Sequence, residues 1–278
     1  MGVRLGVVLL PERRWPDDRW ARAEALGFDH AWTYDHLTWR DLRDDPWFAA
    51  VPTLAAAALV TSTIRLGTLV ASPNFRHPVP FAKELMTLDD LSGGRITLGI
   101  GSGGTGWDAT ALGQEPWSIR ERIGRFEEFV EVLDGVLSQP AASYEGRWYS
   151  ADEARSIPGC LQQPRLPFAV AATGPRTMRV AARHGRMWVA AHGDVAEHLR
   201  HLDEACAAEG RDPATIDRIV LTGFELEAGL DSVEHLRDDC GRYEAMGVTD
   251  VVVHWPRAGE PFAGDDAHFE RVVTAFLG

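Results

Sequence analysis

Long apolar runs are absent from this chain: no stretch approaches the roughly twenty residues that a membrane-spanning helix needs. Cysteine is scarce. Cys160, Cys206 and Cys240 are odd in number, far apart and in no C-x-x-C pair, which excludes a disulfide framework and leaves no zinc signature. They read as ordinary thiols of a reducing cytosol. Metal-site patterns are missing as well, with no H-E-x-x-H, no H-x-H on the first strand and histidines scattered over many elements, so no metal ligands are expected. Positive charge is in deficit. With 28 Lys and Arg against 41 Asp and Glu the net charge is -13, a field that repels phosphate backbones and anionic lipid. The opening MGVRLGVVLL is too short for a signal peptide and lacks a cleavage site, and Gly6 stands where a myristoylation signal takes Ser or Thr. The expectation is a cytoplasmic protein with a small-molecule substrate and neither nucleic acid nor membrane as partner.

What is present is an ordinary globular composition, 45% hydrophobic and 25% charged over 278 residues. Short apolar runs alternate with helical periodicity along the whole chain. Strands are predicted at 3–10, 28–33, 64–71, 95–100, 168–172, 187–191, 216–225 and 248–254. Helices are predicted at 17–26, 47–60, 79–91, 118–137, 177–184, 195–209, 232–246 and 268–277. The clearest of these carries Ile119, Ile123, Phe126, Phe129, Val130, Leu133 and Leu137 at helical spacing. Eight strand–helix units without a composition break indicate an α/β fold, a single (β/α)8 TIM barrel over 1–278 rather than a doubly wound sheet. Residues 139–167 follow neither period and read as an insertion between the fourth helix and the fifth strand, near the active-site mouth.

In such a barrel the chemistry sits on the loops after the strands. Asp35 and His36 follow strand two, and Asn74, Arg76 and His77 follow strand three. Ser102, Gly103 and their neighbours follow strand four, Thr173, Gly174, Pro175 and Arg176 strand five, and His192, Gly193 and Asp194 strand six. His36 can exchange a proton near neutral pH, with Asp35 beside it to orient a ligand; a helix-capping Asp and a surface His are the plain alternative. Gly99, Gly101 and Gly104 spell G-x-G-x-x-G after a strand. That fingerprint needs a helix opening at the loop, whereas 106–116 reads as irregular and the helix starts near Ser118, so a dinucleotide-binding Rossmann unit is not indicated. TGPR before a helix is a better anion site: Gly174 frees the turn, Pro175 suits the first helical position, and the following amides point outward. The loop at His192 and Gly193 has the same aptitude. Trp32, Trp39 and Trp47 fit either a ligand wall or core.

With these residues laid out, the chain resembles the luciferase-like flavin-dependent oxidoreductase superfamily, and more closely its deazaflavin (coenzyme F-420) branch. The likeness runs through Asp35 and His36, IRLGTLVASPNFRHP across strand three, LDDLSGGRITLGIGSG into strand four, and AATGPR after strand five. The resemblance implies a barrel with a reduced flavin or deazaflavin ring across its mouth, backed by a non-proline cis peptide on a strand-three bulge at Leu69–Val70. It places the cofactor's phosphate at Gly174, Pro175 and Arg176, with Thr173, His192 and Gly193 nearby and Ser102 and Gly103 at the ring. Asp35 would bond the ring system, and His36 would be the proton donor or acceptor. The implied cofactor is coenzyme F-420, with FMN as the alternative, and a homodimer is possible. The readings that follow are hydride transfer between the deazaflavin and a small organic substrate, an FMN-dependent monooxygenase, or a non-catalytic flavin- or phosphate-binding barrel. Two departures stand out. Gly104 replaces the catalytic Glu of the deazaflavin-dependent sugar-phosphate dehydrogenases, and Arg40 replaces their active-site Trp, which puts sugar-phosphate oxidation in doubt.

Overall fold

The computed structural model describes residues 2–39, 42–104 and 107–278. In chain order the elements are β1 (Arg4–Val8), α1 (Arg19–Leu26), β2 (His30–Thr33), α2 (Ala50–Val60), β3 (Arg65–Ala71), α3 (Pro78–Leu91) and β4 (Ile96–Gly101). Next come α4 (Trp107–Ala111), α5 (Ile119–Ser138), β5 (Ala141–Glu145), β6 (Ser150–Arg155), β7 (Phe168–Ala171) and α6 (Pro175–His184). The chain ends with β8 (Met187–Ala190), α7 (Val195–Ala208), β9 (Asp217–Leu221), α8 (Val233–Ala245), β10 (Asp250–His254) and α9 (Asp266–Leu277).

Eight strands close a barrel in the order β1-β10-β9-β8-β7-β4-β3-β2, every neighbouring pair parallel. Parallel neighbours need crossovers, and the helices that make them cover the outer face. Side chains alternate between two cores. Val251 and Val253 of β10 belong to the layer under the helices, while Val252 joins Val8, Trp32, Leu69, Val189 and Ile219 inside the barrel. The inner residues form a packed filling rather than a pore.

Each end of that filling is polar. At the amino-terminal end of the strands, Arg4 donates twice to Asp250, at 2.7 Å each, and Trp32 donates to Nδ1 of His30 at 2.6 Å. His30 Nε2 is 3.0 Å from Asp250. Gly6 makes room for this layer, since a Cβ there would lie 2.0 Å from the His30 ring. At the mouth, Tyr34 and His254 meet at 2.5 Å.

Two local structures differ from the sequence reading. The stretch expected to be irregular before Ser118 contains α4, too short at five residues to show a helical period. Residues 139–167 contain an antiparallel hairpin, β5 with β6, lying against α5. Its turn is held by Glu128, which accepts from the amides of Arg147, Trp148 and Tyr149. The three cysteines are buried, unpaired thiols, and burial pushes Cys240 up to about 12. No helix among the described residues is long and apolar enough to cross a membrane.

Candidate functional site

The loops after β2, β3 and β4 converge on one cluster. β3 carries a register shift against β4 between Thr68 and Ala71, and within it the Leu69–Val70 peptide is cis. The chain then makes a short 3-10 turn at Pro73–Phe75, opened by Ser72, whose hydroxyl accepts from the Asn74 amide. This turn sets Asn74 against the glycine loop. Gly103 takes φ +79°, the left-handed region that favours glycine, and a Cβ on it would lie 2.5 Å from the Asn74 amide oxygen.

His36 and Asp108 meet here. His36 Nδ1 lies 3.0 Å from Asp108 Oδ2, the Leu37 amide donates to Asp108 Oδ1 at 2.8 Å, and Asn74 Nδ2 reaches Oδ2 at 3.5 Å. Asp108 is 3% exposed. Burial alone would raise its pKa, but the hydrogen bond and charge of His36, the Leu37 amide and Asn74 together hold it below the ordinary carboxylate range. An ionised Asp108 fixes the proton of His36 on Nδ1, which leaves Nε2 as the nitrogen free to exchange a proton. Asp108 was invisible as a partner in the sequence, standing 72 positions from His36 on a one-turn helix.

Asp35 is no helix cap. It is 2% exposed and accepts from Nε and Nη2 of Arg76 at 2.8 and 2.7 Å, while Arg76 Nη1 reaches Glu84. The adjoining wall is aromatic: Trp39 stacks on Trp47 at 5.8 Å and on Phe262 at 6.4 Å, and Phe262 stacks on His254 at 3.5 Å. Burial pushes His254 down to about 3, against a weaker upward pull from the Thr222 backbone, so the ring is neutral at ordinary pH. Trp32 belongs to the barrel filling. Arg40, Asp41, Thr105 and Gly106 lie outside the described residues, so the departure read at Arg40 has no structural account.

The two loops expected to take an anion are not equivalent. α6 starts at Pro175 with Gly174 as its N-cap, and no side chain bonds its first-turn amides. α7 is already capped: Asp194 accepts from Ala196 and Glu197, and Gly193 donates to Glu225 at 3.1 Å. The open helix end after Thr173 is therefore the better place for an anion. Arg176 beside it pairs with Glu127. A cavity of about 630 Å³ lies between the loops after β9 and β10, bounded by Thr222, Glu227, His254, Phe262 and Asp265; neither His36 nor Asp108 lines it. Among the described residues no group of three or more His, Cys, Asp or Glu is placed to hold a metal.

Comparison with known proteins gives the family and the fold. Residues 18–234 match the family model described as luciferase-like monooxygenase. An F-420-dependent hydroxymycolic acid dehydrogenase of Mycobacterium tuberculosis is 33% identical over 221 residues, 77% of this chain and 60% of that protein. An F-420-dependent glucose-6-phosphate dehydrogenase of Beutenbergia cavernae is 35% identical over 229 residues, 78% of this chain and 67% of that protein. Among solved structures, an F-420-dependent secondary alcohol dehydrogenase superposes with a TM-score of 0.84 at 17% identity, covering 99% of this chain and 98% of the other. The coenzyme F-420-dependent tetrahydromethanopterin reductase of Methanopyrus kandleri gives 0.79 at 20% identity, with 99% and 98% covered. At those identities the structural likeness speaks for the fold alone. The family match over residues 18–234, on a closed eight-stranded parallel barrel, places this chain in the luciferase-like monooxygenase family.

Proposed function

We propose that this protein is a coenzyme F-420-dependent oxidoreductase acting on a small organic substrate, with His36 as its proton-exchanging residue. The observation that carries the reading is the His36–Asp108 pair at 3.0 Å, set beside the Leu69–Val70 bulge and the Gly103 loop. The residues present suit an extended ring with an anionic end. Gly101 at the end of β4 and Gly103 in the loop after it bring no side chain there, and the α6 start at Gly174 presents uncapped amides. Leu69, Val70, Ser102 and Gly103 would hold the ring, and Thr173, Gly174, Pro175 and Arg176 the phosphate, with His192 and Gly193 on the next loop. Asp35 contributes at the ring edge together with Arg76, whose guanidinium it already fixes.

The coenzyme, when bound, supplies the hydride chemistry. The protein's part is the proton. With Nδ1 tied to Asp108, Nε2 of His36 takes the hydroxyl proton of a substrate being oxidised, or returns one to a carbonyl being reduced. Asp108 stabilises the imidazolium that forms and keeps the ring from turning. The aromatic wall of Trp39, Trp47 and Phe262 excludes water from this face and suits an apolar substrate. Sugar-phosphate oxidation is not proposed, because Gly104 brings no carboxylate to the loop after β4.

Two measurements test the proposal. Fluorescence titration should show binding of coenzyme F-420; tight binding of FMN with none of F-420 overturns the cofactor assignment in favour of a flavin-dependent monooxygenase. His36→Ala should lower turnover by roughly a hundredfold or more while cofactor affinity is kept. Unchanged turnover would remove His36 from the reaction.

A further inference from the structure

The cavity of about 630 Å³ between the loops after β9 and β10, which neither His36 nor Asp108 lines, carries charge of one sign. Glu227, Asp231, Glu260 and Asp265 all line it, and no lysine or arginine among the described residues does. Asp231 is engaged with His235 at 2.6 Å, and Asp265 accepts from the His268 amide at 2.7 Å at the start of α9. Glu227 and Glu260 are exposed and make no ion pair among the described residues. Arg257, close to Glu260 in the chain, gives its guanidinium to Glu12, Asp45 and the carbonyls of Gly259 and Glu260 instead. The unpaired carboxylates complement a cation.

A cluster of acidic residues attracts cations without selecting one, and a second, independent feature supplies the selection. His254 lines the same cavity, is 5% exposed, and its Nδ1 has no hydrogen-bond partner among the described residues. The Thr222 backbone, whose pull on the ring is weaker than the effect of burial, completes no hydrogen bond with that nitrogen. Nε2 faces the Tyr34 hydroxyl at 2.5 Å. Gly223 also lines the cavity and keeps the space beside Nδ1 open, since a Cβ on it would lie 2.7 Å from the nitrogen. A buried polar atom without a partner is costly, so a hydrogen-bonding group is its complement. The surrounding wall is aromatic: Phe262 stacks on His254 at 3.5 Å, and Phe224 meets Phe262 and His254 edge-on at 5.3 and 5.5 Å.

We infer that this cavity binds a small organic ammonium ion with an apolar or aromatic body. The ammonium gives one N–H to Nδ1 of His254, in the tautomer whose Nε2–H is donated to the Tyr34 hydroxyl, and Glu227 and Glu260 meet its charge. Its body lies against Phe262 and Phe224, where a cation beside aromatic rings gains further. A bare metal ion suits the cavity less, because no group of three or more His, Cys, Asp or Glu among the described residues is placed to hold one. The site does not depend on the cofactor reading. Phe262, which also stacks on Trp39, joins it to the aromatic wall of the mouth.

Isothermal titration calorimetry of the protein without added coenzyme, near neutral pH and at low ionic strength, compares three probes of similar size: benzylammonium, benzyl alcohol and benzoate. Benzylammonium should bind about tenfold or more tightly than benzyl alcohol, and benzoate more weakly than either. The Glu227→Gln/Glu260→Gln double variant should weaken benzylammonium about fivefold, the scale of two exposed charge pairs. His254→Phe keeps a ring to stack on Phe262 and removes Nδ1, and should weaken it about tenfold. Thermal unfolding checks that the His254 variant is folded; if it is not, the double variant on the exposed loops decides alone. Equal affinity of the parent protein for benzylammonium and benzyl alcohol overturns the site. Unchanged benzylammonium affinity in either folded variant overturns it as well, since attraction to the net charge of -13 would then account for the binding.

Discussion

At the scale of single residues, Asp108 sets the hydrogen bonding of His36, the proton-exchanging residue of the proposed reaction. A carboxylate so deeply buried would ordinarily favour its neutral form, yet the hydrogen bond from His36 and the Leu37 amide hold it ionised. In the proposed reaction its role is positioning, because it is buried and its oxygens face His36, Leu37 and Asn74. Asp108→Asn keeps size and shape but can present an NH₂ group to His36 Nδ1, favouring the tautomer with the proton on Nε2. Turnover should fall by about tenfold or more with KM changed little. A mere structural role would instead lower stability and leave the turnover of the folded fraction intact, so kcat per folded molecule is the deciding quantity. The place of His36 in the loop after a strand was legible in the sequence. Asp108 was not, because no periodicity or spacing marks a contact made across 72 positions of chain.

At the scale of elements, periodicity carried most of the fold. The strand at 95–100 and the helix at 118–137 each fall within one residue of β4 and α5, because β4 is buried along its whole length and α5 buries one regular face. The pieces that sequence reasoning missed bury little by themselves. β5 and β6 hold no fully buried residue, and α4 has only Asp108 and Ala109 inside. Their positions are set by tertiary hydrogen bonds, such as Glu128 on the hairpin turn, and leave no pattern in the chain. The aptitude of the two anion loops looked equal in sequence and is not, since only geometry reveals that Asp194 already caps α7. The glycine loop after β4 is a join between elements whose shape depends on one backbone conformation. Gly103→Ala should cost about 1–3 kcal/mol, from the left-handed backbone together with the overlap with Asn74. Urea unfolding measures the cost. Because Asn74 must then move off Asp108, the variant should also lose turnover; full stability with full activity would show that the loop relaxes freely.

At the scale of the whole molecule, the two ends of the barrel carry different polar layers. The mouth carries the His36–Asp108 and Tyr34–His254 contacts, whereas the opposite end is closed by a layer of Arg4, Asp250, His30 and Trp32. Burial alone would raise the Asp250 pKa, but hydrogen bonds from His30, Arg4 and Thr249 hold it far below the ordinary carboxylate range. Elsewhere Glu24, which burial would also raise, is held at about 2 by the amides of Ile64, Thr63 and Ser62, and Asp134 at about 2 by His184 and Arg165. A carboxylate whose folded pKa is depressed stabilises the fold at every pH above its unfolded value, near 4. That contribution is lost as pH falls from there through the folded value. Stability should therefore be nearly level from pH 7 to about 5 and drop steeply between about 4 and 2, followed as the urea midpoint against pH. Asp250→Asn should cost about 3 kcal/mol at neutral pH, the lower end for a buried pair because Arg4 remains partly in water. The same variant should have a shallower acid limb, since its largest titrating contributor is gone. An acid limb as steep as that of the parent protein would show that the closed end of the barrel does not set acid stability, and that the half-buried carboxylates Glu24 and Asp134 do.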